Sequence, residues 1–550
     1  MPRARNPKTP ARKGAPAIPA VWGWALLAAV LALVALARAR MLPLPLERDE
    51  GEYAYAGQLL LQGVPPYSLA YNMKLPGVYA AYALVLALFG QSPSAVHLGL
   101  LCANAAAIVL VYLLARRLFG TFGAIASAAS YAVLSTSESV LGFAAHATHF
   151  VIVPALGGAL LLLHAEERSR RWALFLSGAL FGLAFVVKQH GAVFVLFGAA
   201  YVLSARLRGS RDPWARLFAR AGILLAGAAL PFALTCLWLL GAGVFDRFWF
   251  WTFSYAREYA SEVPRSEAWR NFSFMFPRVA GPAAGLWLLG ALGLVLLWNG
   301  RTRAQSWFAT LFVLFAFLGT CPGYYWREHY FVLMLPALAV LDGAAASRIA
   351  DLFASRRGST AVSYAAPTAL LLLALATSLV AQREVLFERS PMQVFRKIYG
   401  LNPFPEAITI GRYIQSRSGA AARIAVLGSE PEIYFYAHRR SATGYIYTYG
   451  LMEPQRYASH MQDEMIREIE RIRPEYLVFL DVRASWLVQP GSDPRLLEWY
   501  RRYRREHYDL TGVVDIYPDR PPVYRWDADA ARYTPHGIRG VYVYRRREGV

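Results

Sequence analysis

Eleven apolar stretches recur through the first 381 residues of this chain, at about 21–38, 96–115, 121–137, 148–164, 172–187, 191–205, 219–242, 281–298, 305–320, 329–346 and 361–381. Their lengths are those of membrane helices, because a bilayer core takes roughly 17–25 apolar residues to cross. Lipid offers no partner to a bare backbone N–H or C=O, so a single stretch can satisfy itself only as a helix. The sequence therefore specifies a polytopic all-α membrane domain of about eleven spans. Its 56% hydrophobic content excludes an ordinary soluble protein.

A further apolar piece, "PGVYAAYALVLALFG" (76–90), is short enough to be re-entrant or interfacial. Arginine placement decides whether it crosses. If it does not, and the N-terminus is cytoplasmic, the Arg-rich connections 115–120, 166–171, 206–220, 299–305 and 347–359 all fall inside. If it crosses, all five fall outside, against the positive-inside rule. The expected layout is a basic cytoplasmic tail (1–20), a membrane domain (21–381) with an outer loop at 41–95, and an extracytoplasmic region after 382. The start "MPRARNPKTPARKGAPAIPA" is basic and then apolar, like a signal peptide. No small-residue cleavage site follows it, so the first span is expected to be retained.

The segment 382–550 is polar. It has strand-like runs at 423–428, 475–481 and 540–546, with charge-patterned helical stretches at 461–474 and 493–508. That alternation predicts a small α/β domain. It contains no phosphate-binding glycine motif, so no nucleotide site is assigned.

The net charge is +21, and only five of the 57 basic residues are lysines: Lys8, Lys13, Lys74, Lys188 and Lys397. The arginines are spread over interhelical loops, which suits phospholipid head groups and argues against nucleic acid. Three distant cysteines give neither a disulfide framework nor a zinc spacing.

Several residue groups on the expected outer side could do chemistry. "ERDEGEY" (47–53) puts Asp49 and Glu50 at the start of a short helix expected to lie on the membrane. Asp49 is expected at the helix N-terminus, where backbone amides favour a carboxylate. Lys74 in "YNMKLPG" and Lys188 in "VVKQHG" are cations that could meet a phosphate. Lys188 runs against the positive-inside bias. "GYYWREHYF" (323–331) brings Arg327, His329 and Tyr330 together within an aromatic belt. "ESVLGFAAHATHF" (138–150) offers Glu138 and the pair His146 and His149. Two histidines three apart can share a metal, but no third ligand is evident, so no metal site is assigned and a divalent cation stays an option. Collectively these residues suit a reaction on a lipid-linked phosphate, with a carboxylate as general base and cations on the departing phosphate.

The run "RDEGEYAYAGQLLLQGVPPY…NMKLPGVYAAYALVLALFG" resembles the first outer loop of C-fold glycosyltransferases, most closely family 39, the protein mannosyltransferase and aminoarabinose transferase group. "LLARRLFG", "FVVKQHG" and "EHYFVLMLPALAVLDG" resemble further stations of that family, and the tail resembles the outer α/β domain of bacterial members. The resemblance implies a polyprenyl-phosphate sugar donor and inverting transfer at the outer face of the cytoplasmic membrane. The acceptor would be lipid-, glycan- or protein-linked. It implies Asp49 as general base with Glu50 beside it, and Lys74, Lys188, Arg327, His329 and Tyr330 around the donor phosphate. Glu138, His146, His149 and Gln189 form the surrounding set. Relatives often carry K-P-P where this chain has Lys74-Leu75-Pro76. They also usually carry a second carboxylate near 148, where this chain has Thr148. The competing class is a transporter or flippase of lipid-linked glycans. It would favour repeated halves and mid-membrane charges, and neither is legible here. The sequence identifies neither sugar nor acceptor, and leaves the oligomeric state open.

Overall fold

The computed structural model describes residues 19–299, 302–357 and 360–547. Each of the eleven predicted stretches is helical. Among the described residues, seven helices are long and apolar enough to cross a membrane, and four shorter apolar helices accompany them. The chain is a multi-pass membrane protein. The elements that frame the site are α1 (Ala20–Ala39), α2 (Arg48–Leu61), α3 (Pro76–Phe89), α4 (Pro93–Ser135), α5 (Ala147–Arg168), α6 (Arg171–Val187), α7 (Ala192–Leu203) and α8 (Trp214–Gly241).

Helix α4 has 43 residues, about 65 Å at 1.5 Å per residue and twice a bilayer core. It is therefore two crossings. The break is Gly120, with φ 80° and ψ −174°, a conformation that a side chain would oppose. Helix α3 has 14 residues, about 21 Å, too short to cross alone. It packs instead against α2, α4 and α6.

Helix α2 starts where expected, with Asp49 in its first turn, but it is buried rather than lying on a surface. Its N-cap is Glu47. Glu50 N donates to Glu47 Oε1 (3.0 Å) and Glu47 N donates to Glu50 Oε2 (3.1 Å), a reciprocal capping box. The helix is buried at every residue from Glu50 to Leu59. A roof made by the C-terminal domain covers it. A Cβ added to Gly51 would lie 2.6 Å from the Glu432 Cβ of that roof, so only glycine allows this approach.

The roof is a six-stranded sheet in the order β2-β1-β3-β6-β4-β5. Its strands are β1 (Arg423–Leu427), β2 (Arg440–Ser441), β3 (Tyr476–Asp481), β4 (Tyr508–Ile516), β5 (Val523–Trp526) and β6 (Arg539–Arg546). β1 runs parallel to β2 and β3, and the remaining pairs are antiparallel. The predicted strands coincide with β1, β3 and β6, while β2, β4 and β5 lie outside those predictions. Helices Ala458–Ile472 and Arg495–His507 fall on the charge-patterned stretches.

The sheet domain is tied to the 41–95 segment at several points. Leu46 N donates to Tyr436 Oη (2.9 Å), Ser441 N to Tyr55 Oη (2.7 Å) and Tyr71 N to Gly444 O (2.6 Å). Arg48 pairs with Glu430 at 2.7 Å. Met41, Leu44, Phe143, Val385, Phe395 and Phe404 form an apolar cluster at the junction.

Candidate active site

The first turn of α2 points two consecutive carboxylates in different directions, because successive helix positions are about 100° apart. Asp49 is only partly buried. Lys74 Nζ lies 3.4 Å from its Oδ1, and Tyr447 Oη donates to the same oxygen at 3.1 Å. The other oxygen, Oδ2, faces His146 Nδ1 at 3.6 Å. Burial alone would raise the Asp49 carboxyl. Lys74 and His146 outweigh it and hold the group well below the ordinary carboxylate range.

Lys74 lies in a bend two residues before Pro76, which opens α3. Its ammonium also lies 3.2 Å from Tyr53 Oη. Burial would lower it, but Asp49 and Glu52 keep it above the ordinary lysine value.

His146 precedes α5 and is buried, and neither of its ring nitrogens has a hydrogen-bond partner. Glu47 Oε1 lies 3.8 Å from Nδ1. The ring stacks on His329, with centroids 4.2 Å apart and planes inclined by 14°. Sequence spacing suggests His149 as its companion, but the structure pairs His146 with His329. His149 lies on the first turn of α5, with both nitrogens buried and unpartnered. One ligand atom each from Asp49, His146 and His329 lie within 4.8 Å of one another. A carboxylate with two imidazoles is a donor set that fits a divalent cation.

Lys188 and Gln189 sit at the joint of α6 and α7. Gln189 Nε2 donates to Met73 O (2.6 Å), which ties this joint to the loop carrying Lys74. Lys188 is 6% exposed, and its ammonium lies 4.7 Å from the Tyr330 ring centroid. Among the described residues it has no carboxylate within ion-pair distance. Burial, reinforced by the charge of Lys74, pushes it down to about 7. Arg327 is exposed, donates to Tyr259 Oη (3.0 Å) and lies over the Tyr325 ring. A cleft of about 490 Å³ is lined by Arg265, Leu318, Cys321, Pro322 and Tyr324 among others, and Arg327 is not part of its lining.

Glu50, expected as a catalytic neighbour, is 1% exposed and fully engaged. It accepts from Ala145 N (2.6 Å), from Glu47 N (3.1 Å) and contacts His97 Nε2 (3.1 Å). It thereby holds the segment that leads into His146. Glu138 is removed from the pocket by an ion pair with Lys397 at 2.9 Å.

Three residues near Asp49 were not anticipated from the sequence. Glu47 and Glu52 lie on α2 or its cap, and burial raises them to about 7 and about 8. The third, Tyr447, comes from a domain almost 400 residues away in sequence, and no local pattern marks it. The density of acids in "ERDEGE" was the available signal for the other two.

The sequence model of the dolichyl-phosphate-mannose-protein mannosyltransferase family matches residues 74–237. No curated protein sequence matches the chain. Among solved structures, the chain is similar to ArnT from Cupriavidus metallidurans bound to undecaprenyl phosphate. The TM-score is 0.61 at 14% identity, over 96% of this chain and 98% of that one. It is also similar to the archaeal oligosaccharyltransferase AglB from Archaeoglobus fulgidus, solved with an inhibitory peptide and a dolichol-phosphate. There the TM-score is 0.56 at 13% identity, covering 96% and 76% of the two chains. A third likeness is to the mycobacterial arabinofuranosyltransferase AftD, with a TM-score of 0.51 at 14% identity over 97% and 42%.

Proposed function

We propose that this chain, which has the fold of the C-type glycosyltransferases, moves a sugar from a polyprenyl-phosphate donor to an acceptor hydroxyl or phosphate at the outer face of the cytoplasmic membrane. The observation that carries this reading is Lys188, a buried ammonium without an anionic partner among the described residues, within electrostatic reach of Lys74, Asp49 and Arg327. Isolated buried charges are costly, so such a group suits a ligand that brings the anion. A lipid phosphate supplies it.

Asp49 takes the proton of the acceptor O–H as general base. The acceptor oxygen attacks the anomeric carbon opposite the phosphate, the bond from that carbon to the phosphate oxygen breaks, and the configuration inverts. Lys188, Lys74 and Arg327 meet the charge that builds on the departing polyprenyl phosphate. His329 belongs with His146 against Asp49, and Tyr330 forms the face beneath Lys188. A divalent cation held by Asp49, His146 and His329 would add positive charge to the pocket, and on Oδ2 it would replace proton transfer to that oxygen, so the two roles are alternatives. Chelation followed by metal restoration tests that addition.

The decisive experiment incubates the wild type and Asp49→Asn with a panel of polyprenyl-phosphate hexoses and pentoses, using membrane extract as acceptor. Release of polyprenyl phosphate is read by mass spectrometry. Release by the wild type, lowered roughly 10²–10⁴-fold in Asp49→Asn, is expected for loss of a general base. Equal release by both proteins would remove Asp49 from that role.

A further inference from the structure

The sheet domain enters the pocket at one side chain. Tyr447 Oη donates to Asp49 Oδ1 at 3.1 Å, the same oxygen that faces Lys74 Nζ at 3.4 Å. Among the described residues Oδ2 has no hydrogen bond within 3.5 Å, and His146 Nδ1 faces it at 3.6 Å.

The loop that delivers Tyr447 is fixed from two sides. On the sheet, Thr448 N donates to Ser429 Oγ (3.0 Å), Thr448 Oγ1 to Ser485 O (3.0 Å) and Tyr449 Oη to Ala484 O (2.7 Å). These contacts lie just beyond the C-terminal ends of the parallel strands β1 and β3, where open α/β sheets usually place their working loops. On the membrane-domain side, Tyr71 N donates to Gly444 O. Arg48, immediately before Asp49, donates to Ser429 O (2.5 Å) and pairs with Glu430. One stretch of the sheet domain thus grips both Asp49 and the residue before it.

We propose that Tyr447 is a positioning residue for Asp49, and that the sheet domain is a working part of the active site. This inference rests on the glycosyl-transfer reading above. With Lys74 and Tyr447 both on Oδ1, the carboxylate cannot turn freely about its own bond. Oδ2 is left as the oxygen that takes the acceptor proton. A carboxylate held in one orientation meets the acceptor hydroxyl without first being reoriented, which lowers the barrier to transfer but not the affinity for the donor. The hydroxyl of Tyr447 is the part that matters. Its ring packs edge-on against Tyr449 at 5.7 Å, and a phenylalanine would preserve that packing.

The test uses the full-length protein and the same panel of polyprenyl-phosphate sugars. Tyr447→Phe is expected to lower kcat about tenfold, the worth of one hydrogen bond to a charged group, with donor KM unchanged. Tyr447→Ala should be no better, so the phenylalanine ring does not rescue it. Thermal melting gives a readout independent of turnover. Tyr447→Phe should lower Tm in the wild-type background and leave it unchanged in an Asp49→Ala background, because the partner is already gone. Wild-type kcat in Tyr447→Phe, or full rescue of Tyr447→Ala by Phe, would overturn the positioning role. Equal Tm losses in both backgrounds would overturn the contact itself. If the wild type releases polyprenyl phosphate from no donor, the transfer reading fails, and the melting cycle alone still decides whether Tyr447 holds Asp49.

Discussion

Asp49 and Glu50 are adjacent on one helical turn, yet they face two different kinds of surroundings. Glu50 meets donors that belong to the fold: two backbone amides, with His97 as a third contact, at 2.6–3.1 Å and almost no exposure. Asp49 meets side chains instead: Tyr447 donates to Oδ1 at 3.1 Å, Lys74 and His146 approach at 3.4 and 3.6 Å, and the carboxylate keeps some exposure. Short bonds from fixed amides describe a carboxylate that builds structure. Longer approaches by cations describe one whose partners can be exchanged for a substrate.

That contrast can be broken most sharply by paired substitutions. Asp49→Asn should cost roughly 10²–10⁴-fold in turnover and lower the melting temperature less than Glu50→Ala does. Glu50→Ala should cost about 3–5 kcal/mol of stability, the range for breaking a buried, hydrogen-bonded charge. Its activity should fall only in proportion to the folded protein recovered. Melting curves beside donor-release rates separate the two effects. Glu50→Ala with intact stability and no turnover would erase the distinction.

A smaller effect sharpens the Asp49 side. Lys188→Ala should raise donor KM roughly 10- to 100-fold, the worth of one charged hydrogen bond. It should lower Tm little, because the ammonium has no anionic partner among the described residues and loses only its contact with the Tyr330 ring. The free Lys188 loses its proton near pH 7. Donor kcat/KM should therefore be highest below about pH 7, fall as pH rises through it, and lose that limb in Lys188→Ala. The sign for stability is opposite. Between about pH 7 and the ordinary lysine value only the unfolded chain holds this proton, so folding stability should rise with pH across that window. A pH–rate profile and a pH series of melts in wild type and Lys188→Ala check both slopes.

The legible part of this molecule was what period, length and scarcity encode. Most of the apolar runs mark their helices to within about five residues, the 329–346 run stops 11 residues short of its helix end at Arg357, and β1, β3 and β6 show as short apolar strands. The rarity of lysine in an arginine-rich chain pointed to Lys74 and Lys188, which the fold brings to one pocket. The illegible part depends on tertiary partners. Nothing in "RDEG" tells which carboxylate is clamped, because Ala145 N and His97 arrive from other segments. Nothing in "AAHATHF" selects His146 over His149, because the deciding neighbour, His329, lies 183 residues further on. The burial of α2 was hidden for the same reason, since its roof is encoded after residue 400.

The joint that carries Lys188 lies between a 17-residue helix and a 12-residue helix. At 1.5 Å per residue these measure about 26 Å and 18 Å, against a hydrocarbon core of about 30 Å. Hydrophobic mismatch of this kind draws the lipid surface inward. If these two helices together cross the bilayer, it would be thinned beside them and the head-group plane would dip toward the lysine. A polyprenyl phosphate would meet Lys188 at its natural depth without being lifted from the membrane. Vesicles of graded acyl length measure this: donor KM should rise as the bilayer thickens, and a KM indifferent to thickness would mean that the joint is reached from water instead.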